Sequence, residues 1–503
     1  WTALAKVQIL QLGDKDWNEI YTLPENVTLD YAEEFAEPPE KAYDMFFLDR
    51  DLLEEEIELV CRSAKAYTLF ITCNVHIRGR MRWLCRSKKA QRIAGENIQR
   101  FLTEESKYYF PKPYGEKFQL GDVAIAHGFT GNVRWNGNQN ILLEADFGEE
   151  FRQVAYWRYN KPMPKGEVAD FWLEYDKDPT VQIVLEMTLF ASGTAADILE
   201  RKELNEQALK RIVRLESSRG DGTLFVSVKA KGRGRLWLTA LHKRLSRGCH
   251  GYFLPGGERY VTSRREEAFC YFDPGDLKPP LNVYFSGYKT LQGFEGYFMV
   301  KTLGCPFLLI SEPRLEGGSF YMGSEEYEQI YVDMIRRHMD ELGFTSDQVI
   351  LSGLSMGTFG ALYYGCDIRP HAMIVGKPLA SIGNVAANEK HLRPGGFPTS
   401  LDILRFQCSG SEEENIEKLN EKFWEKFEKT NWSHSKFAVA YMLEDDYDTD
   451  AYTTMLSRLQ SDGVQAYGKG IHGRHNDDTT GIINWFLNQY KKILREDFGR
   501  RMD

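Results

Sequence analysis

Residues 349–357 constrain the fold of this chain more than any other stretch. They read Val-Ile-Leu-Ser-Gly-Leu-Ser-Met-Gly, so an apolar run passes through a Gly-x-Ser-x-Gly motif into helix-compatible residues. When a strand turns sharply into a helix, the central serine is held in a strained conformation above the sheet edge, and the glycines let the backbones pass. The stretch predicts such a nucleophile elbow, with Ser355 as the nucleophile. The N–H of Met356 is then placed to stabilise a developing oxyanion.

The length and charge of the chain limit what surrounds this elbow. A chain of 503 residues exceeds what one hydrophobic core organises, which predicts two to four domains. Hydrophobic residues make up 42% and charged residues 27%, as in an ordinary soluble globular protein. The net charge of -10 argues against nucleic acid or an anionic membrane as the main partner, because either would favour a basic face.

The sequence predicts neither a membrane segment nor a cofactor site. It has no run of about 18 uninterrupted apolar residues and no signal-peptide pattern, so we expect a cytoplasmic protein without an integral membrane segment. The eight cysteines include no Cys-x-x-Cys pair, which fits neither a disulfide framework nor a zinc site. We therefore expect no metal and no cofactor.

Residues 1–112 predict a small Rossmann-like or flavodoxin-like domain. Short apolar runs alternate with helical patterns, which indicates a parallel sheet. Gly13 stands alone after the first run, without a G-x-G-x-x-G fingerprint, so docking or scaffolding is favoured over dinucleotide binding. Asp49, at the end of the second run, has the position of a phosphoacceptor, although acidic residues are common at strand ends. The runs lie at 6–12, 44–49 and 66–72.

Residues 113–255 predict a β-sandwich. Many short strand patterns are broken by glycine, asparagine and proline, and one helical insertion is expected at 196–215. Exposed tryptophans on a sandwich would stack on sugar rings, so the domain could be carbohydrate-binding-like, whereas buried tryptophans would only fill its core. The candidates are Trp135, Trp157, Trp172 and Trp237.

Residues 256–503 predict an α/β-hydrolase-like catalytic domain. Strand patterns alternate again with helical ones, including a helix at 327–342 before the elbow and a last helix at 481–494. Catalytic groups of such a sheet lie at the carboxyl ends of its strands. The whole chain is thus predicted to be a multidomain α/β protein.

The acid that follows the nucleophile is expected after the strand pattern at 436–443. A serine hydroxyl needs a base and a carboxylate, which follow it in the order Ser, Asp or Glu, His in this fold. Asp445 is the preferred acid because it falls just past the strand end, and Glu444 is the alternative. Asp446 and Asp448 are expected to cap the helix that begins near residue 451.

The base is expected in the loop before the last helix. This loop carries two histidines, of which His475 is preferred and His472 is the alternative. A second oxyanion donor should follow an early strand of the same domain, which selects the N–H of Tyr288.

Three further motifs carry a family resemblance. The motifs are Pro-Gly-Gly-Glu-Arg-Tyr at 255–260, Pro-Gly-Asp-Leu-Lys-Pro-Pro-Leu-Asn-Val-Tyr-Phe-Ser-Gly at 274–287, and Gly-Phe-Glu-Gly-Tyr at 293–297. Together with the elbow they resemble the second accessory secretory protein of the accessory Sec system of Gram-positive bacteria, over the whole chain.

This resemblance implies both partners and an activity. The partners would be the first and third accessory secretory proteins, the accessory Sec motor ATPase, and a serine-rich-repeat glycoprotein adhesin that they export. The activity would be O-acetyl transfer to N-acetylglucosamine of that adhesin, through a triad carried here by Ser355, Asp445 and His475. The family acid can be Glu, which keeps Glu444 open. The resemblance also allows a peripheral position at the inner face of the membrane.

Two other functions compete with acyl transfer. A carbohydrate or peptide esterase would use water in place of the sugar hydroxyl, and only exclusion of water from the acyl-enzyme separates the two. In a non-catalytic export scaffold, the elbow would survive as part of the fold while the protein binds partners.

Overall fold

The computed structural model describes residues 6–111, 115–391, 397, 399–459 and 464–502. The chain divides into two compact units, residues 1–256 and 257–503. The first unit contains both the small sheet and the β-rich region, and the second contains the elbow. The finer division into three domains stays a prediction, and its boundary at residue 112 lies outside the described residues.

Within residues 6–111, five strands form a sheet in the order β2-β1-β3-β4-β5. All of its pairings are parallel, and this is the strand order of flavodoxin-like sheets. The strands are β1 (Val7–Leu12), β2 (Val27–Ala32), β3 (Met45–Leu48), β4 (Leu69–Ile71) and β5 (Gln91–Arg92). The helices are α1 (Glu54–Ser63), α2 (Gly79–Ser87) and the short α3 (Ile98–Arg100).

Asp49 ties together the carboxyl ends of this sheet. Its carboxylate accepts hydrogen bonds from Thr72 Oγ1 at 2.6 Å and from Asn74 Nδ2 at 2.9 Å, both just after β4. Trp17 Nε1 donates to its other oxygen at 3.3 Å. These contacts give Asp49 a structural role, and phosphorylation there stays a hypothesis.

In the described part of residues 115–256, ten strands form one antiparallel sheet around the long strand β15. Its two halves pair with different neighbours, which lets one strand organise the whole region. The strands are β6 (Gly115–Phe118), β7 (Val123–Ile125), β8 (Asn132–Asn136), β9 (Asn140–Trp157), β10 (Lys161–Met163), β11 (Val168–Lys177), β12 (Val181–Ala191), β13 (Ile198–Asn205), β14 (Val213–Glu216) and β15 (Gly222–Leu245). A small hairpin of β16 (Gly251–Tyr252) and β17 (Leu254–Pro255) follows.

The helix predicted at 196–215 is wrong. These residues form β13, the single turn α4 (Glu206–Leu209) and β14. β13 pairs along its length with β12 at the edge of the sheet, so long-range strand pairing overrides the local helix preference. The description of the region as a β-sandwich stays a prediction.

The tryptophans of this region divide between core and surface. Trp157 and Trp172 are buried, so they fill the core and are not exposed for sugar stacking. Trp135 on β8 is exposed. Trp237 is half-buried, with the Arg235 guanidinium 4.9 Å from its ring centroid. Carbohydrate binding by this region stays a hypothesis.

The second unit contains a mostly parallel sheet. Among its described residues, eight strands lie in the order β18-β19-β21-β20-β22-β23-β24-β25, and only the pairs β18–β19 and β19–β21 are antiparallel. Strands alternate with helices here as predicted, and the assignment to an α/β-hydrolase-like fold stays a prediction. The strands are β18 (Glu258–Val261), β19 (Glu267–Asp273), β20 (Leu281–Phe285), β21 (Phe307–Ser311), β22 (Val349–Leu354), β23 (Ala372–Gly376), β24 (Lys436–Met442) and β25 (Gln465–Ile471).

The helices of this unit cover the sheet. Four of them match predicted helices: α6 extends the prediction at 327–342 by two residues, α12 covers the prediction at 481–494, α7 follows the elbow, and α11 begins at residue 451. They are α5 (Tyr297–Lys301), α6 (Glu325–Leu342), α7 (Met356–Ile368), α8 (Ile382–His391), α9 (Thr399–Cys408), α10 (Glu413–Glu428), α11 (Ala451–Leu459) and α12 (Thr479–Glu496). Of the helices in the described residues, none is long and apolar enough to cross a membrane.

Helix α7 lies unusually close to β20. A Cβ added at Gly357 would lie 2.1 Å from the carbonyl oxygen of Phe285, and one at Gly360 would lie 2.5 Å from the Phe285 ring. Only glycine fits at such distances, which explains why the helix after the elbow begins with small residues. The close approach brings the end of β20 next to Ser355.

Candidate active site

Ser355 occupies the sharp turn between β22 and α7. Its backbone has φ 52° and ψ −122°, a conformation that costs free energy for a residue with a side chain. Its N–H donates to the carbonyl of Gly376 at 2.9 Å, which fixes the turn against β23. The chain therefore holds Ser355 in the strained geometry that the motif predicts.

Ser355, His475 and Asp445 form one continuous chain of hydrogen bonds. Ser355 Oγ lies 2.8 Å from His475 Nε2, and His475 Nδ1 lies 2.8 Å from Asp445 Oδ2. The side chains of His475 and Asp445 are only 1% and 5% exposed. The ring of Tyr447 packs edge-on against the imidazole, with centroids 4.4 Å apart. This is the geometry in which an imidazole can take a proton from a serine hydroxyl.

A local turn after β24 orients the Asp445 carboxylate toward His475. Its Oδ1 accepts the N–H of Tyr447 at 2.9 Å and of Asp448 at 3.4 Å, which leaves Oδ2 for the imidazole. The neighbouring Asp446 accepts the N–H of His475 at 3.1 Å, so this segment also fixes the histidine backbone.

The carboxylate of Asp448 was expected to cap α11, but it accepts hydrogen bonds from residues that precede α8. Its Oδ2 takes the N–H groups of Ala380 and Ser381 at 2.8 and 2.7 Å, next to α8. Burial raises the pKa of Asp448 to about 6, against these two bonds, which lower it. The capping prediction missed this contact because it considered only sequence neighbours.

The two alternative residues pair with each other. His472 Nδ1 lies 3.0 Å from Glu444 Oε1, and Glu444 Oε2 accepts the N–H of Gly473 at 2.5 Å. The latter bond and then the contact with His472 lower the pKa of Glu444. Their side chains are 87% and 54% exposed, whereas His475 and Asp445 are buried.

Of the two predicted oxyanion donors, Met356 follows the nucleophile in the sequence, and Tyr288 belongs to a turn that approaches the elbow. Met356 is the first residue of α7, and Tyr288 stands in the turn after β20, the strand that contacts Gly357. Among the described residues, neither backbone N–H has a hydrogen-bond acceptor. Their role as an oxyanion hole stays a prediction.

Lys377 lies near the site and was missed in the sequence. It follows β23 with φ 59°, and its Nζ donates to Thr479 Oγ1 at 3.0 Å. Burial lowers the pKa of Lys377, and the charge of Asp445 opposes that shift. The position of Lys377 directly after the apolar run at residues 373–376 was the available signal.

Two groups of side chains among the described residues could hold a metal ion within a single unit. In each, one ligand atom from every residue lies within 4.8 Å of the others. Arg337 already pairs with Glu258 in the second group. Neither group contains a residue of the Ser355 site. The groups are Glu105, Cys249 and His250, and Glu258, Cys270 and His338.

Comparisons with known proteins agree on a single family. The family model described as "Accessory Sec system GspB-transporter" matches residues 7–500. The second accessory Sec system protein of Streptococcus gordonii is 38% identical over 509 residues, covering 99% of both chains. Its counterpart from Staphylococcus aureus is 37% identical over 522 residues, covering 98% of both.

A solved structure matches over the same length. A chain of the "Glycosylation Associate Protein (Gap123) complex" from Streptococcus agalactiae is 35% identical, with a TM-score of 0.87. The match covers 99% of this chain and all of the other.

Proposed function

The chain belongs to the family of second accessory secretory proteins of the accessory Sec system, and from this premise we propose that it is an O-acetyltransferase in adhesin export. Its acceptor is N-acetylglucosamine on a serine-rich-repeat glycoprotein adhesin. The observation that best supports this proposed activity is the buried chain of hydrogen bonds from Ser355 through His475 to Asp445.

The triad performs acyl transfer in two steps. His475 Nε2 takes the hydroxyl proton as Ser355 Oγ attacks the acetyl carbonyl, and the leaving group departs with that proton. The negative charge on the tetrahedral oxygen is stabilised by the N–H groups of Met356 and Tyr288. His475 then takes the proton of the sugar hydroxyl, whose oxygen attacks the acetyl-Ser355 carbonyl. The bond between the acetyl carbon and Ser355 Oγ then breaks, and His475 returns the proton to Ser355 Oγ, which leaves the acetylated sugar and free Ser355.

Asp445 acts through the imidazole. Its carboxylate holds the proton of His475 on Nδ1, which leaves Nε2 free to accept the proton of Ser355. It also stabilises the imidazolium that forms in each step. Burial of both side chains strengthens this interaction, because water screens it less.

We also propose that the protein acts as a component of a complex. Its partners are the first and third accessory secretory proteins, the accessory Sec motor ATPase and the glycoprotein substrate. The support is that the Streptococcus agalactiae relative was solved as part of a Gap123 complex. The proposed location is cytoplasmic, peripheral at the inner face of the membrane.

Mass spectrometry of the adhesin glycans tests the enzymatic function. Adhesin is isolated from cells that express the wild type, Ser355→Ala, or the control His472→Ala. We expect O-acetyl groups with the wild type and His472→Ala and none with Ser355→Ala. More acetyl with Ser355→Ala would favour an esterase instead, and unchanged glycans with reduced export in cells lacking the protein would favour a non-catalytic scaffold.

A further inference from the structure

Glu295 lies in the Gly-Phe-Glu-Gly-Tyr motif at 293–297, which carries part of the family resemblance and has no place in the triad. We propose that Glu295 is a positioning residue for the oxyanion hole. By holding the N–H of Gly287, it keeps the N–H of Tyr288 directed at the carbonyl that Ser355 attacks. This role rests on the proposed acyl transfer at Ser355.

The hydrogen bonds of the turn at 286–289 support this role. Three of its four backbone N–H groups are bound by the protein, and Tyr288 is the one whose N–H has no acceptor among the described residues. A turn fixed on both sides of one peptide N–H cannot rotate that N–H freely. The three bonds run from Ser286 to the Ile310 carbonyl at 3.0 Å, from Gly287 to Glu295 Oε2 at 2.6 Å, and from Lys289 to the Gly317 carbonyl at 3.0 Å.

The turn lies directly against the elbow. A Cβ added at Gly287 would lie 3.2 Å from the carbonyl oxygen of Leu354, the residue before Ser355. The same Cβ would lie 3.2 Å from Glu295 Oε2. Glu295 therefore contacts the turn at the point where it approaches the nucleophile.

Glu295 is itself held in place. The carboxylate of Glu295 lies close to Tyr284, which is buried on β20. Burial and the charge of Glu295 raise the pKa of Tyr284 well above its ordinary value, so the hydroxyl stays a donor. The backbone N–H of Glu295 donates to Ser286 Oγ at 3.2 Å. Two hydrogen bonds, from the Gly287 N–H to the Glu295 carboxylate and from the Glu295 N–H to Ser286 Oγ, therefore join the turn to the motif.

The energetic consequence follows from what an oxyanion donor contributes. Losing such a donor lowers kcat by about 100- to 1000-fold. Without Glu295 the Tyr288 N–H is still present but its peptide can rotate, so we expect a smaller loss of about 10- to 100-fold. The loss falls on kcat, because the oxyanion forms only after substrate binds.

The test uses the full chain and hydrolysis of p-nitrophenyl acetate. Glu295→Ala is expected to lower kcat by about 10- to 100-fold with KM unchanged within about twofold. Glu295→Gln keeps an oxygen that can accept the Gly287 N–H and should recover most of that loss. Glu326→Ala is the matched control, because Glu326 also accepts a backbone N–H, that of Ser263, and should match the wild type.

A thionoester substrate separates positioning from general damage. An N–H donor stabilises an oxygen anion more than a sulfur anion, so a disturbed oxyanion hole lowers the ratio of oxygen-ester to thionoester turnover. Loss of folded protein lowers both rates equally. We expect a reduced ratio for Glu295→Ala and a restored ratio for Glu295→Gln.

Three results would overturn the inference: wild-type kcat in Glu295→Ala, an unchanged ratio despite lost activity, or equal losses in Glu295→Ala and Glu295→Gln. The proposed function fails by a different result. If Ser355→Ala hydrolyses the ester as fast as the wild type, then no reaction at Ser355 exists for Glu295 to support.

Discussion

Replacing Asp445 by asparagine tests how His475 is oriented. Asp445 Oδ1 accepts two backbone N–H groups, and Oδ2 faces His475 Nδ1 at 2.8 Å. In asparagine the carbonyl oxygen must take the Oδ1 position, because both partners there are donors. The amide nitrogen then occupies the Oδ2 position and presents a donor to Nδ1.

This arrangement selects the wrong tautomer of the imidazole. With a donor facing Nδ1, the proton moves to Nε2, which lies 2.8 Å from Ser355 Oγ. His475 can then no longer accept the proton of Ser355, and the charge that stabilises the imidazolium is gone. We expect kcat/KM to fall by about two to four orders of magnitude, or about 3–5 kcal/mol of transition-state stabilisation.

The assay is hydrolysis of p-nitrophenyl acetate, with thermal unfolding measured alongside. Asp445→Asn should keep nearly the unfolding temperature of the wild type, because the amide conserves shape and the bonds to the backbone. Glu444→Gln is the matched control and should stay within about twofold, because its partner His472 is exposed. The reasoning is refuted if Glu444→Gln abolishes turnover while Asp445→Asn stays within a few-fold of the wild type.

Three further outcomes follow from the same structure. Ser355→Ala and His475→Ala should each lower turnover by about three or more orders of magnitude, with His472→Ala as the unaffected control in the same ester assay. Ser355→Ala should still bind the partner proteins, as measured by co-purification, and lost binding with unchanged thermal unfolding would contradict this. Burial raises the pKa of Asp448 to about 6 in the folded protein, above its value in the unfolded chain. Protonated Asp448 therefore stabilises the folded state at low pH, and this stabilisation is lost as the pH rises from about 4 to about 6. Asp448→Asn should therefore flatten the pH dependence of the unfolding temperature in that window, and an unchanged profile would contradict the assignment.

The parts of the fold that the sequence could predict are those with a strong local signal. The elbow joins an apolar strand, two glycines and a helix within sixteen residues, and the structure places β22, Ser355 and α7 there. Helix α6 has an amphipathic pattern, a Ser324 N-cap and Gly343 at its C-terminus. Such elements depend mainly on neighbouring residues, so the sequence is enough to find them.

β13 shows where local reasoning fails. Its charged residues are good helix formers, and we interpreted them as a helical insertion. In the structure they lie on an edge strand, where Glu203 pairs with Lys229 of β15 at 2.8 Å. Charged residues on an edge strand discourage pairing with other chains, so the same composition suits both structures. Only the long-range partner strand decides between them.

The candidate site combines both kinds of information. The chain order placed an acid and a histidine after Ser355, but Glu444 and Asp445 are adjacent, and chain order alone could not decide between them. In the structure, β24 ends at Met442, and Asp445 turns inward because its Oδ1 accepts the N–H groups of the next turn. Glu295 had no such signal, because its contact with Gly287 depends on the packing of the 293–297 segment against the turn after β20. The groups proposed to react are therefore marked by local motifs, whereas the groups proposed to hold them in place are brought there by the fold, and only a three-dimensional structure can identify the latter.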